Sequence, residues 1–363
     1  MLYTKPSSPQ GYSLNEFIGS GGFSQVWMGT HLYSDKIVAI KVIKKTELIK
    51  EENRKRFERE LMIHKSAIHP FIVPLYDHVE NIMNHYLVME YLPGGTLMDR
   101  IHKGKPMNVL EMQHYITQIV SALDYLHNSL NVCHQDIKPQ NILIDKSNNI
   151  RIIDFGFSTR FDSVNTCEIS TCGSPKYASP ELYAKVPHGK PVDIWSLGVI
   201  IYLCATGYYP FEHSSIERLS TMILHQDPLI PDELDSNLKD LIKGMLSKQP
   251  ESRLTCNEIK KSEWLLQAQH ENQDIQITNI TCNNKKMMEI IKDKSSIVRM
   301  TKRYSSPNVN ESLSLQEKLC ASGRFKPIGQ TPKKIIMKKN GWNTFDCGKS
   351  ISPLCLKEDG IEK

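Results

Sequence analysis

The densest chemistry in the chain lies in His134-Gln135-Asp136-Ile137-Lys138-Pro139-Gln140-Asn141. An aspartate, a lysine two positions later and an asparagine five positions later share one short loop between apolar flanks, Val132-Cys133 and Ile142-Leu143-Ile144. Pro139 keeps the loop from becoming helix. In such a set Asp136 can accept a hydrogen bond from a reacting hydroxyl. Lys138 can neutralise a transferring phosphoryl group, and Asn141 can ligate Mg²⁺. A plain polar turn accounts for neither the spacing nor the flanks. Thirteen residues after Asn141, Asp154-Phe155-Gly156 follows the apolar strand Ile150 to Ile153. A carboxylate at a strand end suits a hard cation, which takes oxygen ligands.

Two further groups could complete phosphate chemistry. Ile18-Gly19-Ser20-Gly21-Gly22-Phe23-Ser24-Gln25-Val26 is a glycine loop between two strands. Glycines let backbone N–H groups approach a polyphosphate without side-chain obstruction. Taken alone such a loop is more often a simple hairpin. A strand rather than a helix follows it, which argues against a dinucleotide fold. Lys41 ends Val38-Ala39-Ile40-Lys41, an otherwise apolar strand, so it either points to water at a sheet edge or needs a partner. A phosphate-binding amine needs a carboxylate to hold it. Glu60 and Glu58 both lie in the following charged helix. Glu60 is preferred because it stands nine residues before His69-Pro70, where this helix feeds the next strand.

These groups need a scaffold with a cleft. Tyr12 to Ile18, Gln25 to His31 and Ile37 to Ile43 read as strands bounded by glycine, serine and aspartate. Glu47 to Ser66 reads as an amphipathic helix, and strands follow near Val73 to Val79 and His85 to Met89. Past Pro93-Gly94-Gly95 the period becomes helical, with Met112, Tyr115, Ile116, Ile119, Val120 and Leu123 on one stripe of Leu110 to Asn128. The expected plan is a β-rich lobe, a glycine hinge and a larger helical lobe.

The chain has 363 residues, a formal charge of +5 and an apolar fraction of 40%, ample for a sizeable core. No stretch approaches the roughly 18 apolar residues needed to span a bilayer. The longest apolar run, Ile194 to Ala205, holds Ser196 and Gly198 and reads as a buried helix. Met1 to Pro6 shows no apolar leader. The 9 cysteines are odd in number and lack metal-ligand spacing, so they read as reduced thiols in a cytoplasmic or nuclear protein. Composition excludes a collagen, a membrane protein and a disulfide scaffold. Charge divides unevenly: residues 1–265 carry a net −2 and residues 266–363 a net +7. Few aromatics occur in the second segment, which buries too little to offset its chain entropy and is expected to be largely disordered.

In order and spacing these motifs resemble the eukaryotic protein kinase family, over residues 12–265. The resemblance implies an α+β bilobal fold, with an N-lobe at 12–92 and a C-lobe at 93–265, followed by the basic tail at 266–363. It implies a kinase using ATP and Mg²⁺. The nucleotide would lie among Ile18, Gly19, Ser20, Gly21, Gly22, Phe23, Ser24, Val26, Ala39, Glu90 and Leu92, with Met89 guarding the back of the adenine pocket. Lys41 and Glu60 would hold the phosphates, Asp136 and Lys138 would serve the transfer, and Asn141 and Asp154 would bind metal. Asp193 resembles a buried anchor of the catalytic loop, and Glu181 with Arg253 a structural ion pair. Lys138 and Gly173-Ser174-Pro175-Lys176-Tyr177 resemble the Ser/Thr kinases. Ser170 to Ala178 resembles the calmodulin-dependent group, especially its AMP-activated-kinase-like branch. Ser170, with Thr171 as the adjacent alternative, matches the family's activation-loop phosphosite.

Several positions depart from the family pattern. Gln135 replaces the arginine that pairs with that phosphate, and an amide cannot make a bidentate ion pair. Either the loop is competent unphosphorylated or another base, such as Lys176, serves. Ser24 replaces the third loop glycine. Thr96 and Gln140 stand where basophilic relatives use glutamate, so a weak basic requirement in the substrate is expected. His64 occupies a usually aliphatic position and reads as a neutral packed histidine. The partners expected are protein substrates and an upstream kinase. Lys285 to Arg303 is basic with partly helical apolar spacing. It is a candidate for a calmodulin-like or other acidic partner, although Asp293 to Ser296 interrupts its stripe. No specific nucleic-acid binding is expected.

Overall fold

Strand-forming residues from Tyr12 to Glu90 build one antiparallel sheet. Its strands are β1 (Tyr12–Ser20), β2 (Ser24–His31), β3 (Ile37–Lys44), β4 (Leu75–Glu80) and β5 (Asn84–Glu90), in spatial order β1-β2-β3-β5-β4. The structure is a computed structural model that describes residues 5–22, 24–161, 174–270, 289–290, 292–297 and 299. All of these belong to the first of two units, 1–307 and 308–363. Side chains alternate across a strand, and β3 uses both faces. Val38, Ile40 and Val42 enter an apolar cluster with Tyr12, Trp27, Tyr86 and Val88. Ile43 packs on the other face with Phe57, Leu75 and Leu87.

Helix α1 (Glu51–Ser66) supplies Phe57 to that second face. It starts later than the expected Glu47. Lys45–Leu48 forms a 3₁₀ turn and Lys50 is extended (φ −68°, ψ 129°). The reason is tertiary: the Lys45 N–H donates to Met83 O at 2.8 Å, which ties the turn to the β4–β5 connection. Glu51 and Glu52 then fill the first helical turn, where the helix dipole favours carboxylates.

The lower lobe begins with α2 (Val109–Asp124), capped by Asn108. The six residues of its expected stripe are all at most 1% exposed. A π turn at Tyr125–Ser129 ends the helix before the expected Asn128. Short strands follow: β6 (Val132–Cys133), β7 (Ile142–Ile144), β8 (Ile150–Ile152) and β9 (Thr159–Arg160), with β7 paired to β8 and β6 to β9. The helices are then α3 (Pro180–Tyr183), α4 (Pro191–Thr206), α5 (Ile216–His225), α6 (Ser236–Met245), α7 (Cys256–Lys260) and α8 (Glu263–His270). Every residue of α4 from Val192 to Ala205 is buried, as expected for the longest apolar run. Gly198 lets α6 approach, since a Cβ there would lie 3.0 Å from Met245.

The hinge glycines have a steric reason. A Cβ on Gly94 would stand 2.3 Å from Ile144 O, and Gly95 has φ 76°. This close approach lets Gly94 N–H donate to Ile144 O and Ile144 N–H to Gly95 O, seating the hinge on β7.

Part of the tail departs from the solvated expectation. Residues 292–297 are helical, Ile290 is 8% exposed, and Ile297 joins the outer apolar cluster of the sheet. Asp293, which interrupts the apolar stripe, pairs with Lys36, and the Lys36 ammonium lies 4.7 Å over the Tyr76 ring. The segment in isolation has no surface to bury against, whereas the sheet offers it an apolar face and a cation. Phe23, Ser170, Thr171, residues 285–288 of the basic segment offered to an acidic partner and all of 300–363 lie outside the described residues. Among the described residues no helix is long and apolar enough to cross a membrane.

Candidate active site

The loop from His134 to Asn141 is held by a buried carboxylate from α4. Asp193 is 0% exposed. Its Oδ1 accepts the Gln135 N–H at 2.8 Å. Its Oδ2 accepts the His134 N–H at 2.8 Å and His127 Nε2–H at 2.8 Å. Burial works against the Asp193 charge, but the bonds from His127 and His134 outweigh it and keep the carboxyl below its usual range. The anchor is needed because Gln135 sits at φ 65°, a left-handed conformation costly for a non-glycine residue.

Held this way, the loop converges its polar groups. Asp136 Oδ2 accepts Lys138 Nζ at 2.6 Å and Asn141 Nδ2 at 2.9 Å. Asn141 Nδ2 also donates to Asp136 O, which leaves the amide oxygen available as a hard ligand. Lys138 Nζ reaches Ser174 Oγ at 3.0 Å, so the catalytic loop touches the segment before α3. The Ile153 N–H donates to Asn141 O at 3.0 Å and brings the turn Asp154-Phe155-Gly156 alongside.

From the upper lobe, β3 places Lys41 opposite Val26 on β2 and Leu87 on β5. Its Nζ bonds Glu60 Oε1 at 2.6 Å and Asp154 Oδ1 at 3.0 Å. Burial opposes the Lys41 charge, yet the two carboxylates outweigh it and hold the amine above the ordinary lysine range. Lys41 in turn pulls Asp154 well below the usual carboxylate range. Glu60 is the partner of Lys41; Glu58 is exposed. A cavity of about 200 Å³ lined by Gly21, Gly22, Lys41, Glu60 and Asp154 opens beside this cluster.

The glycine loop closes on Ser20 opposite Gln25, with Gly21 N–H donating to Ser24 O at 2.9 Å. A Cβ on Gly19 or Gly22 would meet nothing within 4 Å. The chain's own packing therefore does not require glycine there, whereas a polyphosphate lying against the backbone would. Ala39 faces Met89 across the sheet, and Leu92 is buried at the hinge. Glu90 turns its carboxylate to Arg151 Nε at 3.3 Å, and burial raises it against the pull of that arginine. Ile18 is exposed at the end of the run that precedes the loop. For a divalent cation the donors on offer are the Asp154 carboxylate, 38% exposed, and the Asn141 amide oxygen. Both are oxygen ligands of the hard type.

Taken in chain order, a glycine loop, a Lys–Glu pair, a buried Asp/Lys/Asn loop and a carboxylate turn surround one cleft, and residues 12–265 match the protein kinase domain. The chain belongs to the protein kinase family. Family membership implies ATP, a divalent metal and protein substrates. Among curated relatives, the kinase is 35% identical over 256 residues to the CBL-interacting serine/threonine-protein kinase 8 of Arabidopsis thaliana, covering 70% of this chain and 57% of that protein.

Several contacts in this kinase were not anticipated. Gln135 donates to Thr159 Oγ1 at 2.8 Å in a buried position. Lys176 is engaged by Glu212 and lies 4.1 Å over the Tyr209 ring, so the alternative base suggested for the loop is already committed. Thr96 closes a capping box with Asp99, and Gln140 is exposed. Glu181 and Arg253 form the expected buried pair, with Nη2–Oε2 at 2.7 Å. Arg56 donates from Nε to Gly156 O at 2.6 Å. Its place one helical turn before Glu60 was the available signal for that contact.

Proposed function

We propose that the chain is a protein serine/threonine kinase that transfers the γ-phosphoryl group of Mg-ATP to protein hydroxyls. The observation that carries this reading is two hydrogen-bonded sets, Lys41 with Glu60 and Asp154, and Asp136 with Lys138 and Asn141, brought side by side by the Ile153 N–H to Asn141 O bond. Asp136 commits Oδ2 to Lys138 and Asn141, which leaves Oδ1 to accept the hydrogen bond of a substrate hydroxyl. Lys138 lies between Asp136 and Ser174, where it can meet charge developing on the transferred group. Lys41, held by Glu60, suits the α and β phosphates, and the glycine loop suits the rest of the polyphosphate. A Mg²⁺ ion on Asp154 and Asn141 would neutralise phosphate charge. Catalysis on this reading is positioning and electrostatics, with no covalent intermediate.

The finer placement, in the calmodulin-dependent group with an AMP-activated-kinase-like activation segment, is supported by Ser170 to Ala178 and by the curated relative. Gln135 and the committed Lys176 support an activation loop that is competent without phosphate on Ser170 or Thr171. A calmodulin-like partner for the tail would have to displace the buried Ile290 and Ile297. We place the protein in the cytoplasm or nucleus on its thiol usage; Cys133, Cys204 and Cys256 are buried thiols. The test is Mg-ATP phosphorylation of a degenerate peptide library, with Asp136→Asn as control. The expected result is transfer by the wild type only, with no strong arginine selection three residues before the acceptor, because Thr96 and Gln140 are neutral. Equal signal from both proteins would remove intrinsic activity and leave a nucleotide-binding scaffold.

A further inference from the structure

We infer that Arg56 is a positioning residue that clamps the metal-binding turn to α1, so that Asp154 is oriented by the same helix that orients Lys41. The inference deepens the kinase reading and takes the role of Asp154 from it. The clamp itself is a statement about the ligand-free chain.

Four observations support it. Arg56 and Glu60 are one turn apart on α1 and share a face. Arg56 Nε donates to Gly156 O at 2.6 Å, and its guanidinium carbon stands 3.7 Å from the centroid of the Phe157 ring. Glu60 reaches the same turn by another route, through Lys41 to Asp154 Oδ1. Two side chains of one helix thus grip both ends of a four-residue turn and close a ring of contacts.

The turn needs an external grip. Asp154 has φ 64°, a conformation that non-glycine backbone does not favour. Its local support is two bonds, Gly156 N–H to Asp154 Oδ1 at 3.3 Å and Ser158 N–H to Phe155 O at 3.0 Å, and neither holds it to α1. Arginine is also the residue suited to both contacts at once. Its planar fork donates in the plane while its face stacks on an aromatic ring. A lysine could supply charge and one donor, but no stacking plane.

The consequence is coupling. A movement of α1 that separates Glu60 from Lys41 also withdraws the clamp from Gly156. At Gln135, where the family uses an arginine to bind loop phosphate, the side chain instead donates to Thr159. Arg56 is thus one link between α1 and the turn, beside the route from Glu60 through Lys41 to Asp154 and the His64 ring 5.0 Å from Phe155, and none of the three involves a phosphate.

The experiment compares full-length wild type, Arg56→Ala and Arg56→Lys. Hydrogen exchange of the ligand-free protein is read at residues 155–160, with α2 and α4 as internal references. The loss of a charged hydrogen bond should speed exchange at 155–160 in Arg56→Ala by about tenfold or more. The reference helices should not change, and Arg56→Lys should fall between. The Mg²⁺ concentration that half-saturates stabilisation by Mg·ADP should rise several-fold in Arg56→Ala, while stabilisation by metal-free adenosine is unchanged. Peptide phosphorylation by Arg56→Ala should recover on adding millimolar guanidine. Unchanged exchange at 155–160 would overturn the proposal. So would exchange that rises equally in α2 and α4, which marks a merely structural role. Local exchange that responds as stated in a protein that phosphorylates no peptide would keep the clamp and refute the kinase reading.

Discussion

His64 keeps its imidazole where water does not reach. It is 2% exposed, Nε2–H donates to Val73 O at 2.9 Å, and the ring lies 5.0 Å from Phe155. Burial lowers its pKa to about 4. The unfolded imidazole takes up its proton near pH 6.5, so between about pH 6.5 and 4 only the unfolded state carries it. Stability from this residue is full above pH 6.5 and falls as pH drops through that window, by on the order of 3 kcal/mol. Urea unfolding at pH 7 and pH 5 should show a smaller loss in His64→Leu than in wild type, by about 2 kcal/mol; equal losses would assign the acid sensitivity elsewhere. Gln135 gives a second residue-scale prediction. It is 4% exposed beside the Thr159 hydroxyl. Gln135→Arg buries a cation there and should destabilise unphosphorylated protein by about 3 kcal/mol in urea. An unchanged midpoint would reveal a counter-charge near Thr159.

At the scale of elements, the working parts are short and irregular, and longer pieces hold them. The loop after β6 borrows its shape from α4 through Asp193, and β7 receives the hinge through Gly94 and Gly95. Gly94 is the sharper probe, because a Cβ there would collide with the Ile144 carbonyl at 2.3 Å. Gly94→Ala should cost about 1–3 kcal/mol and lower affinity for adenosine, read by urea unfolding and calorimetry. Wild-type values on both would mean that the hinge backbone yields easily. Helix α1 illustrates how such parts are tied together. Its residues enter the sheet through Phe57, the cleft through Glu60, and the carboxylate turn through Arg56.

For the whole molecule, the charge of +5 averages two different regions, so it does not describe the substrate cleft. Within the tail, Ile297 and Asp293 are spent on the upper lobe instead. Ile297 is 3% exposed among Tyr12, Trp27 and Tyr76, with Asp293 on Lys36. Truncating a buried isoleucine removes both apolar burial and packing, so Ile297→Ala should lower stability by about 2 kcal/mol. An effect below about 0.5 kcal/mol in urea would be the response of a surface position, and would show that this seating contributes nothing to the fold.

The sequence by itself determined the lobes, the order of the motifs and most of the cleft, because those signals are local. Alternation marks a strand, a 3.6-residue stripe marks a helix, and the spacings among Asp136, Asn141 and Asp154 are set along a single stretch of chain. Only the tertiary structure decided which groups meet across long separations. It moved the start of α1 to Glu51, committed Lys176 to Glu212, and brought Arg56 to Gly156. It also seated Ile290 and Ile297, which a reading of the tail in isolation left to solvent. The physical reason is common to all of these: an ion pair, a clamp or a buried isoleucine is stabilising only against a partner surface, and the chain creates that surface only by folding.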